Sequence, residues 1–374
     1  MYRNVILPAA WLAGTIIGAG VFALPFVFEK AGILTGLFYL AIFGVFLSFL
    51  YLMYADVIIK TKEAHRFVGY VKNYLGRFAG KLSTLTSIIG LLVSMVVYLI
   101  LAISFINLLA PSLPDLYKVL IFWFISALTV FLKIKRLAFL EFLVTAAIIV
   151  IILIIFVFGI GGFAAKAGAL PLFNPIFLLL PYGAVLFSLA GRTAVPSIIN
   201  YFREKKDDLK KSKLPIILGT LTPAIVYLLF VLGIIGLPGQ ISQDSVSGLI
   251  GNVPVIILYL LGILGFFSLW STYIMLSQEV EKSLEEDFKF PSILSALVAV
   301  FVPLILYFAG FNNFLALIGV AGGVFISFEG ILIVLMWLKI SRRSPSIMFK
   351  KMNPILTYLL LLIFFVGIVY ALTY

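Results

Sequence analysis

Three glycines lie within the first hydrophobic stretch of the chain, at Gly14, Gly18 and Gly20, and Pro25 follows them. Each glycine costs a helix about 1 kcal/mol relative to alanine, so this segment is predicted to unwind. A membrane-spanning helix that unwinds frees backbone N–H and C=O groups, which is tolerated where they line a cavity or bind a ligand. The alternative interpretation is close helix packing, because Gly14 and Gly18 have small-xxx-small spacing.

A second hydrophobic segment carries a matching interruption. It reads SLAGRTAVP from Ser188 to Pro196, and Gly191 and Pro196 flank the charged residue Arg192. Proline removes a helical hydrogen bond, and an ionised arginine that faces lipid is costly. Two interrupted helices at corresponding positions of a chain are the best sequence indication of a transporter's binding site at the membrane midplane.

Arg192 needs a counter-charge if it lies inside the membrane. Its predicted partner is Glu329, the most deeply placed acid, in the apolar segment GGVFISFEG. The structural interpretation is an ion pair that joins two helices. The functional alternatives are a fixed cation that contacts a substrate, and a gate that opens when Glu329 takes up a proton.

Composition places these segments in a polytopic membrane protein. Hydrophobic residues make up 63% of the 374 residues, charged residues make up 11%, and the mean hydropathy is +1.23. Soluble chains contain about 25% charged residues. The chain has no cysteine, which excludes disulfides and thiolate metal sites. With no histidine inside a span, no metal-ligand cluster and no nucleotide-binding loop, an enzyme is not expected.

Eleven hydrophobic spans are predicted, at about 5–28, 32–59, 83–109, 117–132, 138–159, 175–200, 214–236, 254–278, 292–308, 313–338 and 354–373. Nearly all of the 27 basic residues fall in loops on the side of the N-terminus, and only Lys30, Lys118 and Lys166 fall on the other side. Basic loops stay in the cytoplasm, so the N-terminus is predicted to be cytoplasmic and the C-terminus external. The net charge of +12 is therefore a topology signal, and no nucleic-acid partner is expected.

Three loops carry further expectations. Apolar residues at helical spacing between Lys62 and Lys81 predict a short helix on the inner membrane surface. The loop Leu237–Pro254 is long enough to fold partly over an outer vestibule. The basic run Arg203–Lys213 is expected to contact anionic lipid.

The interrupted spans are the first and the sixth, which divides the chain into two five-helix units. The predicted domains are residues 1–159, residues 175–338 in inverted topology, and residues 354–374 as an additional eleventh helix. Because five is odd, the second unit enters the membrane from the opposite side. The predicted fold class is an all-α polytopic membrane protein.

Residues 14–32, GTIIGAGVFALPFVFEKAG, resemble the first helix of the amino acid/polyamine/organocation (APC) superfamily. Their form is most similar to the amino acid/auxin permease and aromatic amino acid permease branch, and residues 189–202, LAGRTAVPSIINYF, resemble that branch's sixth helix. The resemblance implies a LeuT-type 5+5 inverted-repeat fold and amino acid transport. Metal transporters of this fold carry Asp-Pro-Gly-Asn in the first helix. Here no acid precedes Glu29, which argues against a metal-ion substrate.

The resemblance and the physics of helix ends together place an amino acid at the two interruptions. Its carboxylate is expected at the backbone N–H groups of Ala19 and Gly20, with Gly18 allowing close approach. Its ammonium is expected at backbone carbonyls of both interruptions, those of Ala13, Gly14, Phe187 and Ser188. Tyr98 in the third span and Arg192 complete the predicted substrate site.

By the same resemblance, Ser271 and Thr272 match a hydroxyl pair that completes a sodium site with the carbonyls of Gly14 and Ile17. Sodium is a hard ion that prefers oxygen ligands. The alternative is that both hydroxyls bond to their own helix backbone, as Ser and Thr in membrane helices do.

Some proton-coupled relatives place a lysine in the fifth span at the sodium position. This chain has Glu141 and Thr145 there and no lysine, which favours sodium. The sequence thus predicts a secondary active amino acid transporter of the cytoplasmic membrane that works by alternating access and ion-coupled symport. No cofactor is expected beyond that ion, and the partners expected are substrate and lipid, with no obligate protein partner. An exchanger, and a non-transporting sensor or scaffold that keeps the fold, remain the alternatives.

Overall fold

The computed structural model describes residues 2–63, 65–131, 137–166, 168, 170–349 and 354–373, with residues 2, 3 and 137–144 described by their backbone alone. All regular elements within this part of the chain are helices. The first half contains α1 (Leu7–Ile16), α2 (Leu24–Ala31), α3 (Ile33–Lys60), α4 (Phe67–Leu75), α5 (Arg77–Leu109), α6 (Asp115–Phe131) and α7 (Leu137–Lys166). The second half contains α8 (Leu180–Ser188), α9 (Val195–Glu204), α10 (Lys213–Gly236), α11 (Val255–Asp287), α12 (Ser292–Phe308), α13 (Phe314–Val320), α14 (Ser327–Ser341) and α15 (Pro354–Thr373).

Each of the eleven predicted spans is helical in the described part of the chain. Eight helical segments of that part are long and apolar enough to cross a membrane, with α8 and α9 counted as one segment and α13 and α14 as another. The bent first segment is a ninth. The other two are α12, with 17 residues, and α6, with 17 residues up to the end of the described range at Phe131. At 1.5 Å per residue each is about 25 Å long, a little less than the hydrocarbon core of a bilayer. The polytopic all-α architecture is confirmed, and the orientation of the termini stays a prediction.

The first span unwinds where its glycines predict. The last α-helical hydrogen bond of α1 runs from the Ile17 N–H to the Ala13 carbonyl over 2.8 Å. Ile17 and Gly18 then have extended backbone angles, and a short 3-10 helix at Ala19–Ala23 leads into α2. The two parts of the span meet at an angle of 53°.

The sixth span unwinds in the same way between α8 and α9, and a 3-10 turn at Arg192–Ala194 precedes α9. Pro196 occupies the first turn of α9, and Pro25 occupies the first turn of α2. A proline in this position loses no hydrogen bond, because the first N–H groups of a helix have no partner within it. The prolines therefore start the second half-helices after each break.

The tenth span contains a π-helical segment at Ala321–Ile326, between α13 and α14. It packs closely on α8, since a Cβ on Gly322 would overlap the Gly183 carbonyl oxygen. The Ser327 hydroxyl donates to the Gly322 carbonyl at the end of the segment. Glu329 lies in the first turn of α14, directly after it. Single π turns occur frequently at functional sites.

The loop predictions can be compared directly with the structure. A short helix, α4, forms between Lys62 and Lys81 as predicted, but its buried face packs against α5 and α14. In the basic run, the Arg203 guanidinium donates to the Ile58 carbonyl at the end of α3. A hydrogen bond from Lys211 holds the pKa of Asp207 below its ordinary value. Part of this run is therefore engaged within the protein.

The loop Leu237–Pro254 folds around the Asp244 carboxylate, which accepts bonds from the backbone N–H groups of Val246 and Ser247. Burial acts to raise the pKa of Asp244, but these bonds and those from the Ser104 and Ser242 hydroxyls lower it below its ordinary value. The loop borders a cavity of about 450 Å³, and its place over an outer vestibule stays a prediction.

Candidate functional site

The two breaks face each other at the centre of the protein, where α1 and α8 end. A Cβ on Gly20 would lie 2.5 Å from the Ser188 Cα, and a Cβ on Gly191 would overlap the Ile16 side chain. Real Cβ atoms do not approach other atoms so closely. Glycine is therefore required at Gly20, where a Cβ would meet the Ser188 backbone, and at Gly191 its lack of a side chain lets Ile16 pack against the unwound segment.

Gly18 has a different environment from Gly20. Its Cβ would lie 3.1 Å from the hydroxyl oxygen of Tyr98, at the end of a side chain that reaches in from α5. The structure thus places Tyr98 against the first break, and its contact with substrate stays a prediction. Gly14 is less constrained, since its Cβ would be in ordinary contact with the Thr145 hydroxyl at 3.7 Å.

A tyrosine that the sequence analysis missed joins the two breaks. Tyr227 lies on α10 and is fully buried. Its hydroxyl oxygen is 2.7 Å from the Ile16 carbonyl oxygen of the first break and 2.9 Å from the Ser188 carbonyl oxygen of the second. One hydroxyl thus lies within hydrogen-bonding distance of a carbonyl oxygen from each break.

A second tyrosine serves the sixth span alone. The Tyr51 hydroxyl, from α3, donates to the Leu189 carbonyl over 2.8 Å. It also accepts the Gly191 N–H over 2.7 Å. It therefore satisfies one freed acceptor and one freed donor of the same break, as buried backbone groups require. The sequence offers no signal for either residue, because the chain contains 17 tyrosines.

The predicted ammonium-binding carbonyls are partly occupied by bonds within the protein. The Ala13 carbonyl accepts the Ile17 N–H, and the Phe187 carbonyl accepts the Ala190 N–H over 3.3 Å. A carbonyl oxygen has two lone pairs, so the Ala13 carbonyl retains capacity for a second donor. The Phe187 carbonyl also accepts the Leu189 N–H.

On the donor side, Ala19 and Gly20 begin the 3-10 helix of the first span and are fully buried. Their N–H groups have no partner within that helix, because the first donors of any helix lack one. The structure places Gly20 of the first break directly against the backbone and hydroxyl of Ser188 in the second.

The predicted partner of Arg192 lies in contact with it. The guanidinium makes two bonds to the Glu329 carboxylate, Nε to Oε2 over 2.7 Å and Nη2 to Oε1 over 2.9 Å. The Ser87 hydroxyl of α5 donates to the same carboxylate over 3.0 Å. The guanidinium carbon lies 4.1 Å from the ring centre of Phe67 on α4. The two charged side chains are 13% and 16% exposed, so the pair is largely shielded from solvent.

The predicted sodium ligands make hydrogen bonds of their own. The hydroxyls of Ser271 and Thr272 each donate to the Ser268 carbonyl of the same helix over 3.1 Å. Among the described residues, no hydrogen bond joins either hydroxyl to Gly14 or Ile17. Nor does the described part contain a cluster of three His, Cys, Asp or Glu side chains that could hold a metal ion.

A sequence profile of the tryptophan/tyrosine permease family matches residues 1–373. This match spans nearly the whole chain, and the chain belongs to this family. A sequence comparison with curated proteins finds no match.

Solved transporter structures share the fold at low sequence identity. The chain is similar to MhsT in complex with L-phenylalanine, with a TM-score of 0.67 and 14% identity over 98% of this chain and 96% of that one. It is similar to Mhp1, a nucleobase-cation-symport-1 family transporter in a closed conformation with bromovinylhydantoin bound, with a TM-score of 0.63 and 16% identity over 99% and 90%. For a mutant of the Eremococcus coleocola manganese transporter the TM-score is 0.61, at 15% identity over 100% and 94%. These likenesses confirm the predicted LeuT-type fold.

Proposed function

We propose that this member of the tryptophan/tyrosine permease family is a secondary active transporter of amino acids that works by alternating access. Aromatic L-amino acids are the first candidate substrates, because the family description names tryptophan and tyrosine and MhsT binds L-phenylalanine. We also retain the APC superfamily, in its aromatic amino acid permease branch, as the proposed wider relationship.

The observation that carries the proposal is the juxtaposition of two unwound segments inside a membrane protein. Gly20 of the first break lies against Ser188 of the second, and both segments present backbone groups at the same place. Donors at Ala19 and Gly20 suit a carboxylate, and the carbonyls at the ends of α1 and α8 suit an ammonium. A scaffold would have no need for two buried unwound segments.

We assign the Arg192–Glu329 pair to gating. It lies directly after the break of the sixth span and joins it to α14, while Phe67 packs on the guanidinium from α4. Movement of α9 relative to α14 would have to break this pair. The pair therefore would hold the pathway closed on the side of α4 until substrate binding or a proton favours its release.

We propose sodium as the coupling ion, at Ser271 and Thr272 with the carbonyls of Gly14 and Ile17. Both hydroxyls donate their protons to the Ser268 carbonyl, so the lone pairs of the two hydroxyl oxygens can still bind a hard cation. The proton is the second candidate, and it is favoured by the carboxylate of Glu329 in contact with Arg192. An exchanger that needs neither gradient is the third.

A binding screen tests the proposal. The purified protein is heated with each of the twenty amino acids, and L-tryptophan, L-tyrosine or L-phenylalanine is expected to raise its melting temperature. A ligand at 100 times its Kd stabilises a protein by about 2.7 kcal/mol. The D-enantiomers are the control, because they place the ammonium differently relative to the carboxylate. A protein stabilised by no amino acid would refute the proposal.

Uptake by proteoliposomes then separates transport from sensing and identifies the ion. A sodium-coupled symporter accumulates labelled substrate only with an inward sodium gradient, and Ser271→Ala with Thr272→Ala removes that dependence. A proton-coupled symporter responds to a pH gradient in sodium-free buffer, and an exchanger responds to preloaded amino acid alone. Binding without uptake in all three conditions would identify a sensor.

A further inference from the structure

Two carbonyl oxygens from different spans converge on one atom of Tyr227. The Ile16 oxygen ends α1 and the Ser188 oxygen ends α8, and both lie within 2.9 Å of the Tyr227 hydroxyl oxygen. The hydroxyl lies on α10, outside both broken spans, and is completely buried.

Converging carbonyl oxygens repel each other, because both carry partial negative charge. In a buried place they need a hydrogen-bond donor or a cation between them. A tyrosine hydroxyl has a single proton, so Tyr227 offers each oxygen a shared donor. It therefore stands at a point where a bound monovalent cation or a ligand ammonium would otherwise be needed.

Tyr51 provides the internal comparison. It is nearly as buried and it also bridges two freed backbone groups, but it pairs one donor with one acceptor, Gly191 and Leu189. Tyr227 has two acceptors beside the single backbone N–H, that of Gly18, which bonds to it. The Gly191 and Leu189 groups both belong to the sixth span. Loss of the Tyr51 hydroxyl would therefore leave a donor and an acceptor and create no cation-attracting pair of carbonyls.

We infer that Tyr227 is a positioning residue whose hydroxyl takes the place of a cation between the Ile16 and Ser188 carbonyls. It fixes the first break relative to the second, and with them the donors and acceptors of the substrate site. The inference rests on the proposed function for its effect on binding, while the bridge itself depends only on the geometry.

The inference makes a distinctive prediction for Tyr227→Phe, which removes the hydroxyl and keeps the ring. The two carbonyls lose their donor, and a small monovalent cation can replace it. In the variant, sodium or lithium is expected to raise the melting temperature relative to choline by several degrees more than in the wild type. Tyr51→Phe is the matched control, and its response to cations is expected to equal that of the wild type.

Binding of labelled L-tryptophan gives the second measurement. In sodium-free choline buffer, Tyr227→Phe is expected to raise the apparent Kd at least tenfold, and sodium is expected to recover most of the loss. The dependence of the apparent Kd on sodium concentration becomes steeper in Tyr227→Phe than in the wild type, because one more cation takes part in binding. Tyr51→Phe is expected to keep the wild-type steepness even where its melting temperature falls.

Equal cation responses of Tyr227→Phe, Tyr51→Phe and the wild type would overturn the inference, and so would an unchanged Kd in choline buffer. If Tyr227→Phe does not fold, Tyr227→Lys places an ammonium at nearly the same reach from the backbone and is expected to show no added cation response; an added response would also overturn the inference. Failure of the wild type to bind any amino acid would refute the proposed function alone, because the melting-temperature measurement needs no substrate.

Discussion

Both breaks are unwound segments between the two helical parts of a span, but the chemical groups around them differ. The first contains no ionisable side chain, and its unwound backbone is enclosed by glycine contacts and by the hydroxyls of Tyr98 and Tyr227. The second has Tyr51 as its own bridge and continues directly into Arg192, which pairs with Glu329.

This difference suggests a division of labour between the breaks. The first break can recognise a zwitterion through backbone groups alone, which cannot change their charge. The second links the same site to an ion pair that can be broken or neutralised. Substrate recognition and gating are thus adjacent in space but depend on different kinds of group, so mutations should separate them.

The largest expected effect belongs to the charged side of the comparison. Glu329→Gln removes the ion-pair partner of the largely buried Arg192, and an arginine cannot shed its proton. Breaking a buried pair in this way costs about 3–5 kcal/mol. The melting temperature of the purified variant is expected to fall sharply, and substrate binding at the first break is expected to persist in the fraction that remains folded.

Arg192→Met is the matched variant, because the carboxylate left behind can take up a proton. The double variant is expected to be more stable than Glu329→Gln alone. Additive effects in the double-mutant cycle would show that the two side chains act independently. The proposed role of the ion pair at the second break would then be wrong.

A smaller effect is expected where the two breaks touch. Gly20→Ala puts a methyl group 2.5 Å from the Ser188 backbone, which cannot move aside like a side chain. Overpacking of this kind costs about 1–3 kcal/mol. Gly14→Ala is the control, because its methyl group meets Thr145 at ordinary contact distance. Thermal melting should separate the two, and equal stability would mean that the breaks do not pack as described.

The smallest effect on stability is expected from Gly18→Ala. Its methyl group lies 3.1 Å from the Tyr98 hydroxyl, which can move by a few tenths of an ångström. The free energy of unfolding should change by less than about 1 kcal/mol. L-Tryptophan affinity should nevertheless fall several-fold, because the methyl group narrows the approach to the Ala19 and Gly20 N–H groups. Wild-type affinity in a radioligand assay would place the carboxylate elsewhere.

The breaks and the ion pair can be predicted because they violate the ordinary composition of a membrane helix. Glycine clusters unwind helices, and a charged residue among apolar ones must find a partner. Arg192 and Glu329 are the obvious pair because the spans contain so few other charges. The short helix α4 follows from apolar spacing alone, but its packing partners do not.

The two bridging tyrosines cannot be predicted, because their role is decided by tertiary placement. Tyr51 and Tyr227 lie in ordinary apolar sequence, and nothing local distinguishes them from the other tyrosines of the chain. The Gly20 contact also goes beyond the sequence prediction. The sequence predicts room for a ligand, and the structure shows in addition that Ser188 occupies the space beside the Gly20 Cα.

The π-helical segment at Ala321–Ile326 has a consequence for how this protein tolerates insertions and deletions. A π turn holds one residue more than the α-turn it replaces, so the segment accommodates one extra residue between α13 and α14. Because the wider turn absorbs the extra residue, removal of one residue from the segment would restore an unbroken α-helix and leave the residues downstream in nearly the same angular phase relative to α13. Glu329 would therefore still face Arg192. The π-helical segment is the place in the tenth span where the loss of one residue is expected to disturb the ion pair least.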